Sequence, residues 1–137
     1  MTDEVILAKA EIIERCLRRI AEEYAGQREN LHDNWTKQDS ILLNLERTCQ
    51  ASIDLALRVI RMRRLGVPRE SREAFDILRQ HQILPVRLAE SLAAMVGFRN
   101  IAIHNYRELD LAIVENILRE RLADFRELVA LALRLEP

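Results

Sequence analysis

Residues 36–65 read TKQDSILLNLERTCQASIDLALRVIRMRRL, and that stretch decides the fold. Leu42, Leu45, Cys49, Ile53, Ala56, Leu57 and Ile60 return at three- and four-residue steps, the period of one helix face. Thr36 followed by Asp39 resembles a capping box with Asp in place of the usual Glu, so the helix is expected to open there and run to about Leu65. Ile41, Leu43, Leu55 and Val59 widen the apolar surface beyond one stripe. A helix patterned this way is central to a bundle or covered by a second subunit.

The rest of the chain supplies its neighbours. A first helix is expected over about Asp3–Tyr24, capped by Thr2, with Ile6, Ala10, Ile13, Leu17, Ile20 and Tyr24 on its buried face. Gly26 stops it, and residues 26–35 (GQRENLHDNW) read as a polar loop. After Gly66-Val67-Pro68, Ser71 is placed to cap a short helix to about Gln80 with Phe75 and Leu78 facing in. Pro85 suits the first turn of a fourth helix carrying Leu88, Leu92, Met95 and Val96. A last helix starts at Asp110, with Leu109 and Val114 spaced as a hydrophobic staple. Its core face is Val114, Ile117, Leu118, Phe125, Leu128 and Val129. The expected architecture is all-α: an antiparallel four-helix bundle with one additional short helix, one domain over residues 1–137.

Composition agrees. At 137 residues one domain is the default, and a core of this size needs neither disulfide nor metal. Hydrophobic residues are 49%, which excludes a disordered chain, and three Gly with three Pro leave too few tight turns for a β-sandwich or barrel. The net charge of −1 draws the protein globally neither to nucleic acid nor to a membrane, so any RNA contact must be local. Of 21 basic residues only Lys9 and Lys37 are lysines. Cys16 and Cys49 sit in apolar helical patterns and read as buried free thiols of a reducing compartment. The acidic start MTDEVILAKA carries no signal-peptide pattern, and no window nears the ~18 apolar residues of a membrane span, so the expectation is a cytoplasmic protein.

The candidate chemistry lies between the fourth and last helices, at residues 99–106, RNIAIHNY. No Gly-rich phosphate loop, HExxH, paired-Cys or nucleophile-elbow motif is present, and no metal site or cofactor is expected. The stretch resembles the Arg-x4-His-x-Tyr motif of the HepT toxins in the HEPN superfamily, with Arg99, His104 and Tyr106 matching and Asn100 as the polar residue often found after the Arg. Chain length, helix layout, the QDSILLNLER opening of the long helix (38–47) and the motif's place before the last helix extend the likeness over essentially the whole chain. The resemblance implies a homodimeric, metal-independent endoribonuclease toxin of a type II toxin–antitoxin system. It implies an MntA-like minimal nucleotidyltransferase as antitoxin and RNA (tRNA or mRNA) as substrate. It also makes Tyr106 an acceptor of AMP.

The side chains suit that chemistry. Cleavage by the ribose 2′-hydroxyl needs a proton-transfer group near neutrality, which His104 is, and a cation on the phosphorane, which Arg99 is. Asn100 is a positioning group for His104 or a phosphate oxygen, and Glu46 either an orienting carboxylate for Arg99 from across the bundle or a member of a plain surface or structural ion pair. On a continuous helix Arg99 and His104 stand about 140° apart. Either the helix ends before His104 or the site joins two subunits. His32 and His81 read as surface residues in polar connectors; Arg58, Arg61, Arg63, Arg64, Arg69 and Arg72 form a basic run that is a solvated helix end or an RNA guide. The rival reading is a non-catalytic helical subunit that binds a nucleotidyltransferase and presents substrate or nucleotide to it.

Overall fold

A computed structural model describes residues 2–104 and 110–135, with 100–104 described by their helical backbone. Among the described residues seven helices follow one another: α1 (Glu4–Tyr24), α2 (Arg28–His32), α3 (Trp35–Arg63), α4 (Ser71–Gln80), α5 (Val86–His104), α6 (Leu111–Glu120) and α7 (Leu122–Leu133). The fold is all-α, and among the described residues there is no strand.

Helix starts differ from expectation by a few residues, for a reason of hydrogen bonding. Asp3, not Thr2, caps α1: its Oδ1 accepts from the N–H groups of Val5 and Ile6 at 3.0 and 3.1 Å. Asn34 caps α3 by accepting from the Lys37 N–H, two residues before the expected cap Thr36. Glu70 holds the cap position of α4, with Ser71 its first residue, and Val86 rather than Pro85 opens α5. Asp110 caps α6 as read, accepting from the Ala112 N–H at 2.8 Å; Leu109 of the staple lies outside the described residues.

Two segments depart more. The polar stretch 26–35 contains α2, pinned by Leu31, which is fully buried. Gln38 Nε2 donates to the Leu31 carbonyl and Asn30 Nδ2 to that of Tyr24. A single apolar anchor in ten residues produces no periodicity, which is why the sequence reads there as loop. The last helix is broken at Arg121 (φ −119°, ψ −10°), which ends α6 and begins α7.

The direction of each helix follows from its cross-helix pairs. Asp3 meets Arg58 and Lys9 meets Asp54, so α1 and α3 are antiparallel. Tyr24 meets Glu115 while Glu14 meets Arg126, so α6 and α7 run opposite to α1. Arg87 reaches Asp124 and Glu127 while Phe98 shares a groove with Ile113, so α5 opposes α6 and α7. It follows that α3 and α5 are antiparallel too. One core draws on every helix, with Ile6, Leu17, Leu31, Ile41, Leu55, Phe75, Leu88, Val114 and Phe125 essentially inaccessible. Not all of α3 is covered: Leu43 and Leu57 remain 45% and 38% exposed.

Candidate functional site

The level of the motif is set where α5 crosses α3. The Cys49 thiol donates to the carbonyl of Met95 across 3.8 Å. With the two helices antiparallel, that contact carries Glu46 to the level of Arg99, one turn further along each. Electrostatics reports the same neighbourhood from the thiol's side. Burial pushes the Cys49 thiol up to about 12; the Arg99 guanidinium pulls against that and the Glu46 carboxylate adds to it. Both charges therefore bear on one buried sulfur, and both residues are half-buried at its edge. Arg99 and Glu46 thus both stand near the Cys49 thiol.

The backbone decides one question that the sequence left open. α5 continues through Asn100 to His104, so the helix does not end before the histidine. Positions 99 and 104 stand about 140° apart around its axis, whereas 100 and 104 share one face. The side chains of Asn100 and His104, and all of Tyr106, lie outside the described residues.

Other candidates separate cleanly. His32 is not a surface residue of a loop: it ends α2, is 20% exposed, and its Nε2 lies 3.6 Å from Glu115. Glu115 also meets the Tyr24 hydroxyl at 3.4 Å, Arg28 at 3.9 Å and Arg119 at 3.8 Å. Arg119 Nε donates to the Tyr24 hydroxyl at 3.1 Å, and this bond raises the Arg119 pKa above its usual value. The cluster ties α1, α2 and α6 together. Of its members only Tyr24 sits on a helical stripe read from the sequence, so no linear signal announced it. His81 caps the exposed end of α4. The basic run starts at the far end of α3, about 18 Å along the axis from Glu46 at 1.5 Å per residue, and its first member, Arg58, is a fork onto Asp3. Among the described residues no cluster of three or more His, Cys, Asp or Glu is arranged to hold a metal ion. No described helix is long and apolar enough to cross a membrane.

Comparison with known proteins gives a consistent result. Residues 13–132 match the family model described as "Ribonuclease HepT-like". The mRNA nuclease HepT of Shewanella oneidensis is 39% identical over 127 residues, 93% of this chain and 95% of that protein. Among solved structures, the tri-AMPylated Shewanella oneidensis HEPN toxin in complex with MNT antitoxin superposes with a TM-score of 0.90 at 38% identity, covering 95% of this chain and 97% of that one. A toxin–antitoxin structure with AMP-PNP superposes equally well, at 0.90 and 37% identity, covering 96% and 99%.

Proposed function

This chain belongs to the HepT-like ribonuclease family, and on that footing we propose that it is the endoribonuclease toxin of a toxin–antitoxin pair, cutting RNA through Arg99 and His104. The observation that carries the assignment of residues is the register of α3 on α5, which sets Glu46 at the level of Arg99 where the motif begins. In the reaction the ribose 2′-oxygen attacks the adjacent phosphorus and the bond to the 5′-oxygen breaks, leaving a 2′,3′-cyclic phosphate and a 5′-hydroxyl. His104 takes the 2′-hydroxyl proton. Arg99 holds the charge that gathers on the phosphorane oxygens, its fork matching two of them. Asn100, on the His104 face, positions, and Glu46 steers the guanidinium. Two proton transfers with one motif histidine per chain, and the 140° separation, support a homodimer in which the site draws on both subunits. Leu57, 38% exposed in the second half of α3, belongs to the surface such a dimer would cover.

The partner is a minimal nucleotidyltransferase antitoxin of the MNT type, a reading supported by the complexes in which the structural neighbours were solved. Silencing follows from charge. The Tyr106 oxygen attacks the α-phosphorus of ATP, pyrophosphate leaves, and AMP remains on the phenol. The new phosphate sits two residues from His104, competes for Arg99 and repels the RNA backbone.

One experiment tests the nuclease. Purified protein in excess EDTA should cut RNA to 2′,3′-cyclic phosphate ends, and Arg99→Ala or His104→Ala should each lose roughly 10²–10³ in rate. Equal cleavage by all three would mean a contaminating nuclease. Intact mass after incubation with the antitoxin and ATP tests the silencing: added AMP on the wild type and none on Tyr106→Phe is the expected pair.

A further inference from the structure

The groove between α1 and the first half of α3 encloses about 490 Å3 and is lined by Arg15, Arg18, Arg19 and Arg47 against a single acid, Glu22, with Leu43 at its lip. Arg19 is committed to Glu22 and Glu23. Arg15, Arg18 and Arg47 have no carboxylate within 4 Å among the described residues, whereas Arg58, Arg79, Arg87, Arg119 and Arg126 are each paired with an acid. Three exposed guanidiniums face one cleft from two helices, and Glu22, already paired with Arg19, is the one acid in its lining.

The register places this groove beside the catalytic motif. The contact of Cys49 with Met95 sets α5 residues 99–104 at the level of α3 residues 46–41. The Asp3–Arg58 and Lys9–Asp54 pairs set that part of α3 against α1 residues near 16–21. Arg15 to Glu22 and Ser40 to Arg47 are therefore the flank of the bundle at the height of Arg99 and His104, separated from them by the width of α3. A bare helix is roughly 5 Å across and one with side chains about 10 Å, so a strand lying over Leu43 spans both.

Resting on the ribonuclease reading above, we propose that the α1–α3 groove binds the phosphodiester backbone of the RNA substrate flanking the scissile bond, through Arg15, Arg18 and Arg47. The groove runs along eight residues of α1, Arg15 to Glu22, about 10 Å, longer than a single phosphate requires, and it offers forks for successive phosphates. Leu43, 45% exposed, gives an apolar surface for a base to rest on. Contacts of this kind carry no sequence information; they set affinity and register.

The test uses the triple variant Arg15→Gln, Arg18→Gln, Arg47→Gln, whose side chains are exposed, so its melting temperature should equal that of the wild type. Binding of a labelled single-stranded oligoribonucleotide of roughly a dozen nucleotides is read in the His104→Ala background, where nothing is cut. The triple variant should bind roughly ten- to a hundredfold more weakly at low salt, and the slope of log K against log salt should flatten by about 2, the release expected from three lost phosphate contacts on a single strand. In the catalytically intact chain KM for the same oligonucleotide should rise with kcat unchanged. Unaltered RNA binding and salt slope would overturn the proposal, including the case in which the variant instead loses the antitoxin, which would make the groove a protein-docking surface. Absence of cleavage by the wild type would count against the ribonuclease reading alone, since the binding arm is read without catalysis.

Discussion

At the scale of the residue, Asp3 shows how one side chain serves two elements. It caps α1 and receives a two-pronged contact from Arg58 of α3, at 2.7 and 3.1 Å. The Arg58 hydrogen bonds, more than any other cause, hold its carboxyl down from the ordinary 3.8 to about 2. A carboxyl whose folded value is depressed stabilises the fold above its unfolded value and ceases to as pH falls through the folded one. Asp3→Asn keeps a competent cap and removes the charge. The gap in denaturation midpoint between wild type and Asp3→Asn should thus be constant above about pH 4 and close toward pH 2, measured by guanidinium titration across that range. A gap of the same size at both ends would mean that the ion pair contributes nothing. Cys49 teaches the complementary lesson. Its burial and raised pKa make it an inert thiol, and its value is as a marker of where Arg99 and Glu46 stand.

At the scale of the element, the break between α6 and α7 is the feature that sequence pattern missed. Val114, Ile117, Leu118, Phe125 and Leu128 keep helical spacing through it and all are buried, so periodicity ran on undisturbed. Glu120, Arg121 and Leu122 hold no Gly or Pro to announce a stop. The second segment is set by a tertiary contact instead. Asp124, 5% exposed in the first turn of α7, accepts from Ser91 Oγ at 2.5 Å and from Arg87 at 3.0 Å. Its negative charge also suits the positive end of α7. Asp124→Ala should lower stability by about 1–3 kcal/mol, because the Ser91 hydroxyl loses its acceptor and α7 its anchor on α5. Chemical denaturation of the variant checks it, and a change under a few tenths would show that packing alone sets α7.

At the scale of the whole molecule, the antiparallel order places Arg99 at the right height and leaves position 104 turned away from it around the same helix. A site built within one chain and one built between two then differ in a measurable way. Light scattering at micromolar concentration should give about twice 16.0 kDa. Mixing inactive Arg99→Ala with inactive His104→Ala should restore part of the activity, since a mixed dimer holds one site with both groups intact. A monomer that still cuts RNA, or a mixture as inactive as its parts, would place the whole site in one subunit.

The sequence by itself determined the helical class and most of the faces that turn inward, because these rest on local periodicity and on capping residues. Every residue of the α1 stripe is buried as its spacing required. What only the tertiary structure decided depends on which distant residues meet. Leu31 makes a helix of a polar stretch by entering the core. Asp124 gives α7 its own start through α5. The arginines that gather in one cleft come from two helices, Arg15 and Arg18 from α1 and Arg47 from α3, whereas the conspicuous linear run from Arg58 to Arg72 begins with a structural fork onto Asp3. Charge density along a sequence and charge density on a surface differ whenever two helices, and not one, form the walls.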